Sequence, residues 1–349
     1  MGRTYKAVLW TAPQCVEIAE KPIPTPGRGE VLLQVKAAGI CGTDLHIISG
    51  HHPQARPPLV PGHEFSGVIV ELGPEVDVSY LNASVGADSY RGCGHCDYCR
   101  SGRAQLCSRG TCEYGVNIDG GWAEYVVLPA ANIYRLPERV SFLEAGAGCI
   151  LNCPMAAVEQ VGVGAGEDVL IIGDGPSSLI MVQLVRLKAA RKVVISGHRS
   201  RRLAQARELG VDRAVKADEE DLPAVLRSMG VTPQVVIDAV GTSESFSAAL
   251  QAAGVEGRVH LFGLPEKPFS GLPMELLLFK ELRITSCTGA PRFWPAAMTL
   301  IEHGLLKVAP LITHRFDLRR APEALAFLRE NRQLVIKAVF ETPAPGGET

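Results

Sequence analysis

Between Gly39 and Gly73 the chain carries Gly39-Ile40-Cys41-Gly42-Thr43-Asp44-Leu45-His46 and then Pro61-Gly62-His63-Glu64-Phe65-Ser66-Gly67. A thiolate, an imidazole and two carboxylates, expected at loop positions beside apolar strands, suit a borderline-soft divalent metal such as zinc. Cys153, inside Cys149-Ile150-Leu151-Asn152-Cys153-Pro154, offers a second thiolate. A Cys-His-Cys set leaves the fourth tetrahedral position to water or substrate, which is the arrangement of a catalytic metal. Taken singly, each residue reads as structural, because free cysteines and lone histidines are usually buried and satisfied. Their grouping points to chemistry.

A second set follows, Cys93-x-x-Cys96-x-x-Cys99-x(7)-Cys107, with glycine and polar residues between. Four sulfurs fill a tetrahedral zinc completely, so such a site braces a loop and activates nothing. A redox Cys-x-x-Cys is the competing reading, and the overlapping spacings with a fourth cysteine favour the metal.

Gly62-His63-Glu64-x-x-Gly67-x(5)-Gly73-x-x-Val76 resembles the zinc signature of the medium-chain alcohol and polyol dehydrogenases, and Cys41-Gly42-Thr43-Asp44-x-His46 resembles the segment supplying their first ligand. The resemblance runs from Ala7 to Phe340. It implies a GroES-like catalytic domain that holds zinc on Cys41, His63 and Cys153, where the metal would polarise an alcohol oxygen. It further implies that Thr43 hydrogen-bonds that oxygen and that Asp44 orients the imidazole of His63. His46 is the candidate for passing the proton to solvent. Glu64 is either a carboxylate behind the ligands or itself an occasional ligand. Cys149 competes with Cys153; the resemblance favours Cys153, just before the helix that crosses to the cofactor domain, and leaves Cys149 a buried thiol.

The elements that must position these groups fall into two kinds. Short strands broken by Pro and Gly, such as Ala7 to Trp10, Val31 to Val35 and Gly67 to Glu71, give the first part an all-β character. From about residue 155, strands alternate with helices: 168–172, 192–196, 234–238, 258–262 and 282–285, with helices from Ser200 to Leu209 and Ser243 to Ala253. That alternation predicts a doubly wound parallel sheet, so the fold class is α/β. The expected domains are a GroES-like part, 1–154 and 293–349 with a structural zinc lobe at 93–107, and a Rossmann part, 155–292. After Pro291 the chain is expected to return to the first domain through a helix from Pro295 to His303 and a strand from Val335 to Phe340. Pro343 to Gly347 reads as a loose tail.

Strand 168–172 runs into Gly173-Asp174-Gly175-Pro176-Ser177-Ser178 and an apolar helix. A glycine turn opening a helix admits a pyrophosphate to backbone N–H groups, and Ser178 stands where the dinucleotide fingerprint has its third glycine. Val240, Gly263 and Leu264, after later strands, are further candidates for cofactor contact. An NAD enzyme places Asp or Glu about 20 residues beyond the glycines to bind ribose hydroxyls. Here Ser196-Gly197-His198-Arg199-Ser200-Arg201-Arg202 has no carboxylate, and Arg199 is placed to fork onto a 2′-phosphate. NADP(H) is therefore expected over NAD(H). Three cations at a helix start also run against the macrodipole, which calls for an anion there.

The bulk numbers fit a two-domain enzyme of small molecules. In 349 residues, 46% are hydrophobic and 21% charged, and the net charge of −2 argues against nucleic acid or an anionic membrane as partner. The start of the chain has no apolar signal-peptide core, so a cytoplasmic location is expected, where ten cysteines favour metal over disulfides. Substrate signals disagree. Cys153 is similar to the alcohol-dehydrogenase branch, whereas Arg292-Phe293-Trp294-Pro295 resembles the polyol branch, with Gly289 where that branch has Arg. His51, His52, Tyr90, Arg91, Asn152 and Trp294 are polar candidates that lean towards a polyol, sugar alcohol or cyclitol. The alternatives are a simple primary or secondary alcohol with NAD(H), or a non-catalytic zinc and dinucleotide sensor. The family implies two zinc ions per chain and a homotetramer or homodimer.

Overall fold

The computed structural model describes residues 3–343. Beyond Pro343, the expected tail lies outside the described residues. The chain groups into two compact units, Met1–Asn152 with Gly289–Thr349, and Cys153–Thr288. Among the described residues, no helix is long and apolar enough to cross a membrane.

The first unit is mostly β. Its strands are β1 (Thr4–Ala12), β2 (Cys15–Pro22), β3 (Glu30–Ile40), β4 (Phe65–Leu72), β5 (Ser84–Ala87), β6 (Tyr90–Arg91), β7 (Cys112–Glu113), β8 (Tyr125–Pro129) and β9 (Ile133–Arg135). β1 pairs with β2 and β6 with β7, while β3, β4, β5 and β9 continue one sheet that β8 joins on β3. Val31, Leu32, Leu33 and Val35 of β3 are buried, and they pack in one cluster with Trp10, Phe65, Trp122 and Phe340.

The second unit carries β10 (Asp168–Ile172), β11 (Lys192–Gly197), β12 (Arg213–Lys216), β13 (Val235–Asp238), β14 (Arg258–Leu261) and β15 (Arg283–Ser286). All pair in parallel in the order β12-β11-β10-β13-β14-β15. This is the doubly wound order whose strand direction of growth reverses beside the first strand. Every residue of β10 is buried, because helices cover both faces of such a sheet. The helix Ser200–Glu208 is capped by Leu209, and the next residue, Gly210, adopts φ +98°, a conformation glycine enters without strain.

The chain returns to the first unit through helix Trp294–Glu302, then β16 (Ile312–Asp317) and β17 (Lys337–Glu341). β17 runs antiparallel to β3, with Ala338 opposite Ile40.

Two local expectations are corrected. Asp44, expected on a loop, lies with Thr43 and His46 on a helix, Gly42–Ile48. The reason is a capping box: Asp44 Oδ2 accepts from the Cys41 backbone N–H at 2.8 Å, so Cys41 to Asp44 closes a helical start. Cys153 lies inside a helix, Cys149–Val161, and does not precede it. Pro154 is the sixth residue of that helix, beyond the first turn, so it removes the i→i−4 hydrogen bond to the Ile150 carbonyl.

Candidate metal and cofactor sites

Ligand-type atoms of Cys41, His63 and Glu64 all lie within 4.8 Å of one another. Cys41 ends the approach from β3, while His63 and Glu64 immediately precede β4, so adjacent strands of one sheet fix the group. Asp44 is buried and its Oδ1 lies 3.1 Å from His63 Nδ1. That contact commits Nδ1 and turns Nε2 towards the other donors; Glu64 Oε1 is 3.8 Å from it. Gly39 admits the carboxylate, since a Cβ there would stand 2.1 Å from Glu64 Oε2.

The electrostatics are those of a cation site. Burial works against a charged His63, but Asp44 and the Cys41 sulfur offset it and raise the imidazole well above its usual range. Burial lifts Glu64 to about 7, with Lys337 acting in the opposite direction. Lys337 Nζ lies 2.7 and 2.8 Å from the two Glu64 oxygens, and both side chains are closed from solvent. A half-buried thiol converging with a buried imidazole and carboxylate makes a donor set fitted to zinc. Lys337 is the residue that sequence reading missed. A lysine within the apolar run Val335-Ile336-Lys337-Ala338-Val339 was the available signal.

His46 sits half-buried in the last turn of helix Gly42–Ile48, and Thr43 Oγ1 is 3.9 Å from Cys41 Sγ. Burial and the neighbouring His63 and His46 lower the pKa of His52. His51 and His52 line a depression of about 400 Å³ with Trp10 and Arg56. Arg91 is paired with Glu30 at 3.2 Å. Asn152 is buried and its Oδ1 has no partner. Trp294 is a core residue, stacked on Tyr134 at 5.6 Å with 2% exposure, because its ring fills the space above Gly86 and Gly148. The Tyr90 ring occupies the space a side chain at Gly289 would need. Cys153 is half-buried and groups with the second unit. The side chain of Cys149 lies outside the described residues.

Cys93, Cys96, Cys99 and Cys107 also bring their sulfurs within 4.8 Å of one another. Backbone N–H groups point at them: Cys93 N donates to Cys107 Sγ at 3.3 Å, and Cys99 N to Cys96 Sγ at 3.5 Å. The amides of Cys99 and Ser108 hold the Cys96 thiol down to about 5. Converging sulfurs with amide donors suit a thiolate-bound metal, and four of them close its shell.

In the second unit the fingerprint residues meet at the carboxyl ends of the strands. A Cβ on Gly173 would lie 3.0 Å from Val240, and one on Gly263 would lie 2.2 Å from the Val240 backbone. Leu264 follows, 62% exposed. Gly175 precedes helix Pro176–Leu187, and a Cβ added to it meets nothing within 4 Å. Ser178 is wholly buried in that helix's first turn, and its Oγ has no partner. An open backbone cradle before unsatisfied helical N–H groups fits a dinucleotide pyrophosphate.

At the end of β11 the structure adds what the sequence left out. β11 itself supplies no carboxylate, but Asp174 reaches there from the glycine turn. Its Oδ2 accepts from the backbone N–H of His198 at 2.8 Å and of Arg199 at 2.6 Å. Its Oδ1 lies 3.2 Å from Arg199 Nη1 and 3.7 Å from Arg202 Nη1. Asp174 is thus the anion that the start of helix Ser200–Glu208 required, and its side chain packs where Gly197 leaves room.

A GroES-like sheet with a candidate catalytic metal set, a four-cysteine lobe and a Rossmann unit define a zinc-binding, dinucleotide-dependent oxidoreductase. The family model for the alcohol dehydrogenase GroES-like domain matches residues 27–138, and that for zinc-binding dehydrogenases matches 178–303. The chain is 36% identical over 311 residues to L-threonine 3-dehydrogenase of Coxiella burnetii, covering 87% of this chain and 90% of that one. Among solved structures it is similar to the alcohol dehydrogenase rspB of E. coli CFT073, complexed with NADH. That similarity has 31% identity and TM-score 0.92, and covers 97% of this chain and 100% of that one. A zinc-binding dehydrogenase of Sinorhizobium meliloti 1021 bound to NADP shares 29% identity with TM-score 0.88, over 97% and 99% of the two chains. The chain belongs to the medium-chain, zinc-binding alcohol dehydrogenase family.

Proposed function

We propose that this chain is a zinc-dependent dehydrogenase that transfers hydride between a secondary alcohol and NADP(H), with a polyol, sugar alcohol or cyclitol as the substrate class. The observation that carries this reading is the convergence of half-buried Cys41 with buried His63 and Glu64, with Asp44 facing His63 Nδ1. Cys153 is the third ligand in this reading, and Cys93, Cys96, Cys99 and Cys107 hold a second, structural zinc. When bound, zinc supplies Lewis-acid polarisation of the alcohol oxygen and the dinucleotide supplies the hydride acceptor.

The chain's own residues do the rest. Thr43 accepts the alcohol proton through its hydroxyl and passes it on, and His46 delivers it to solvent. Glu64, paired with Lys337, stands beside His63 as a carboxylate that would lie behind the metal ligands or serve as one of them.

Arg199 and Arg202 support NADP(H), as does the NADP complex of the S. meliloti relative. The NADH complex of the rspB relative keeps NAD(H) as the second reading. A secondary hydroxyl flanked by polar groups also agrees with a relative named for the 3-position of L-threonine. Strand β15 forms one edge of its sheet, and Leu278 and Phe279 just before it are each 79% exposed, which supports a homo-oligomer built on that edge.

The test is the initial rate with NADP+ and NAD+ in parallel across simple alcohols, L-threonine, sugar alcohols and cyclitols, before and after chelation. Chelator-sensitive turnover of a secondary alcohol is expected. No turnover of any of them by zinc-loaded protein would reject this reading in favour of a sensor.

A further inference from the structure

Arginines that would receive a 2′-phosphate already have an anion. Asp174 is 4% exposed, and all of its polar contacts lie at the turn after β11: two backbone N–H groups on one oxygen, Arg199 and Arg202 on the other. Around this pair, His198 Nδ1 lies 2.6 Å from Asp218, and Lys216 is 3.7 Å from Asp218 while donating to the His198 carbonyl. Three cations, Arg199, Arg202 and Lys216, thus face two carboxylates.

We propose that Asp174 is a cofactor-selecting residue, whose carboxylate competes with a 2′-phosphate for Arg199 and Arg202 and so holds the preference for NADP(H) over NAD(H) to a moderate level. The proposal rests on the dinucleotide reading above. Its physical basis is the sharing of two guanidinium groups between anions. A 2′-phosphate docking on Arg199 must either draw the guanidinium from Asp174 or stand near a second negative charge, and a cofactor with a free 2′-hydroxyl meets neither demand. The same carboxylate cannot move away, because its other oxygen is committed to the two backbone amides that start helix Ser200–Glu208. A glycine at 197 is what permits this, since a Cβ there would stand 2.5 Å from that of Asp174.

The experiment is calorimetric titration of the intact chain with ADP-ribose and with 2′-phospho-ADP-ribose, which needs neither substrate nor turnover. Asp174→Asn keeps a carbonyl oxygen for the amides and removes the charge. It should raise the preference for the phosphorylated ligand by about tenfold, the effect of one uncompensated charge at this range. An unchanged or reduced ratio would overturn the proposal while leaving the cofactor site intact. Failure of the wild-type chain to bind either ligand would instead reject the dinucleotide reading. If Asp174→Asn does not fold, by its circular dichroism and melting, Asp174→Ser serves. It removes the charge while keeping a hydroxyl acceptor and both arginines, so the preference should rise as well, and an unchanged or reduced ratio would overturn the proposal.

Discussion

Lys337 and Glu64 form a closed ion pair, with Nζ 2.7 Å from one carboxylate oxygen and 2.8 Å from the other and neither side chain more than 2% exposed. A pair of this kind is costly to break from one side, because the remaining charge stays buried without a partner. Lys337→Met should therefore destabilise the chain by about 3–5 kcal/mol, read as a fall in melting temperature or denaturant midpoint. Adding Glu64→Gln should restore most of that loss. A single variant as stable as wild type would show that the lysine does not hold the carboxylate.

Asp44 faces His63 at 3.1 Å while also accepting from the Cys41 amide. Losing such a partner weakens metal binding by roughly 10–100-fold. Asp44→Asn should lower zinc affinity by that order in competition with a chromogenic chelator. Equal retention by both proteins would exclude the orienting role.

For the four-cysteine lobe, metal content is the direct readout. Cys96→Ser should reduce bound zinc from two ions to one per chain, and the remaining ion should still support turnover. A variant that kept both ions would remove the lobe as a metal site.

His260 offers a pH test away from the metal donors. It is fully buried, Nδ1 2.8 Å from Thr285 Oγ1 and Nε2 3.5 Å from Cys287 Sγ, and burial pushes its pKa down to about 4. The unfolded imidazole takes a proton below about 6.5, so the unfolded state binds more protons between that pH and 4. This contribution to stability is complete above 6.5 and is lost as the pH falls to 4, by up to about 3 kcal/mol. His260→Gln should flatten that part of the stability profile, and identical slopes would refute the assignment.

The cysteine lobe, the His63 signature and the alternation after residue 155 were legible because each is carried by neighbours in the chain. β10 was readable from its unbroken apolar run, and its order in the sheet follows from the rule for such folds. What escaped were contacts made across long stretches. Lys337 meets Glu64 over 273 residues of sequence. Asp174 reads as one more residue of a glycine turn until the end of β11 is folded back beside it. The helix at Gly42–Ile48 was hidden differently, since a cysteine in the capping position is an unusual start that Asp44 alone makes possible.

The separation between Glu64 and its counterion has a consequence for the order of assembly. Residues 153–288 form their unit from one continuous segment, whereas the first unit needs β17 beside β3. On the ribosome, the middle of the polypeptide can therefore reach its final form while the donors that precede it still wait. The carboxylate at the metal set gains its lysine only when residue 337, 273 positions further on, has emerged. Completion of the Glu64 ion pair is thus deferred until β17 has taken its place beside β3.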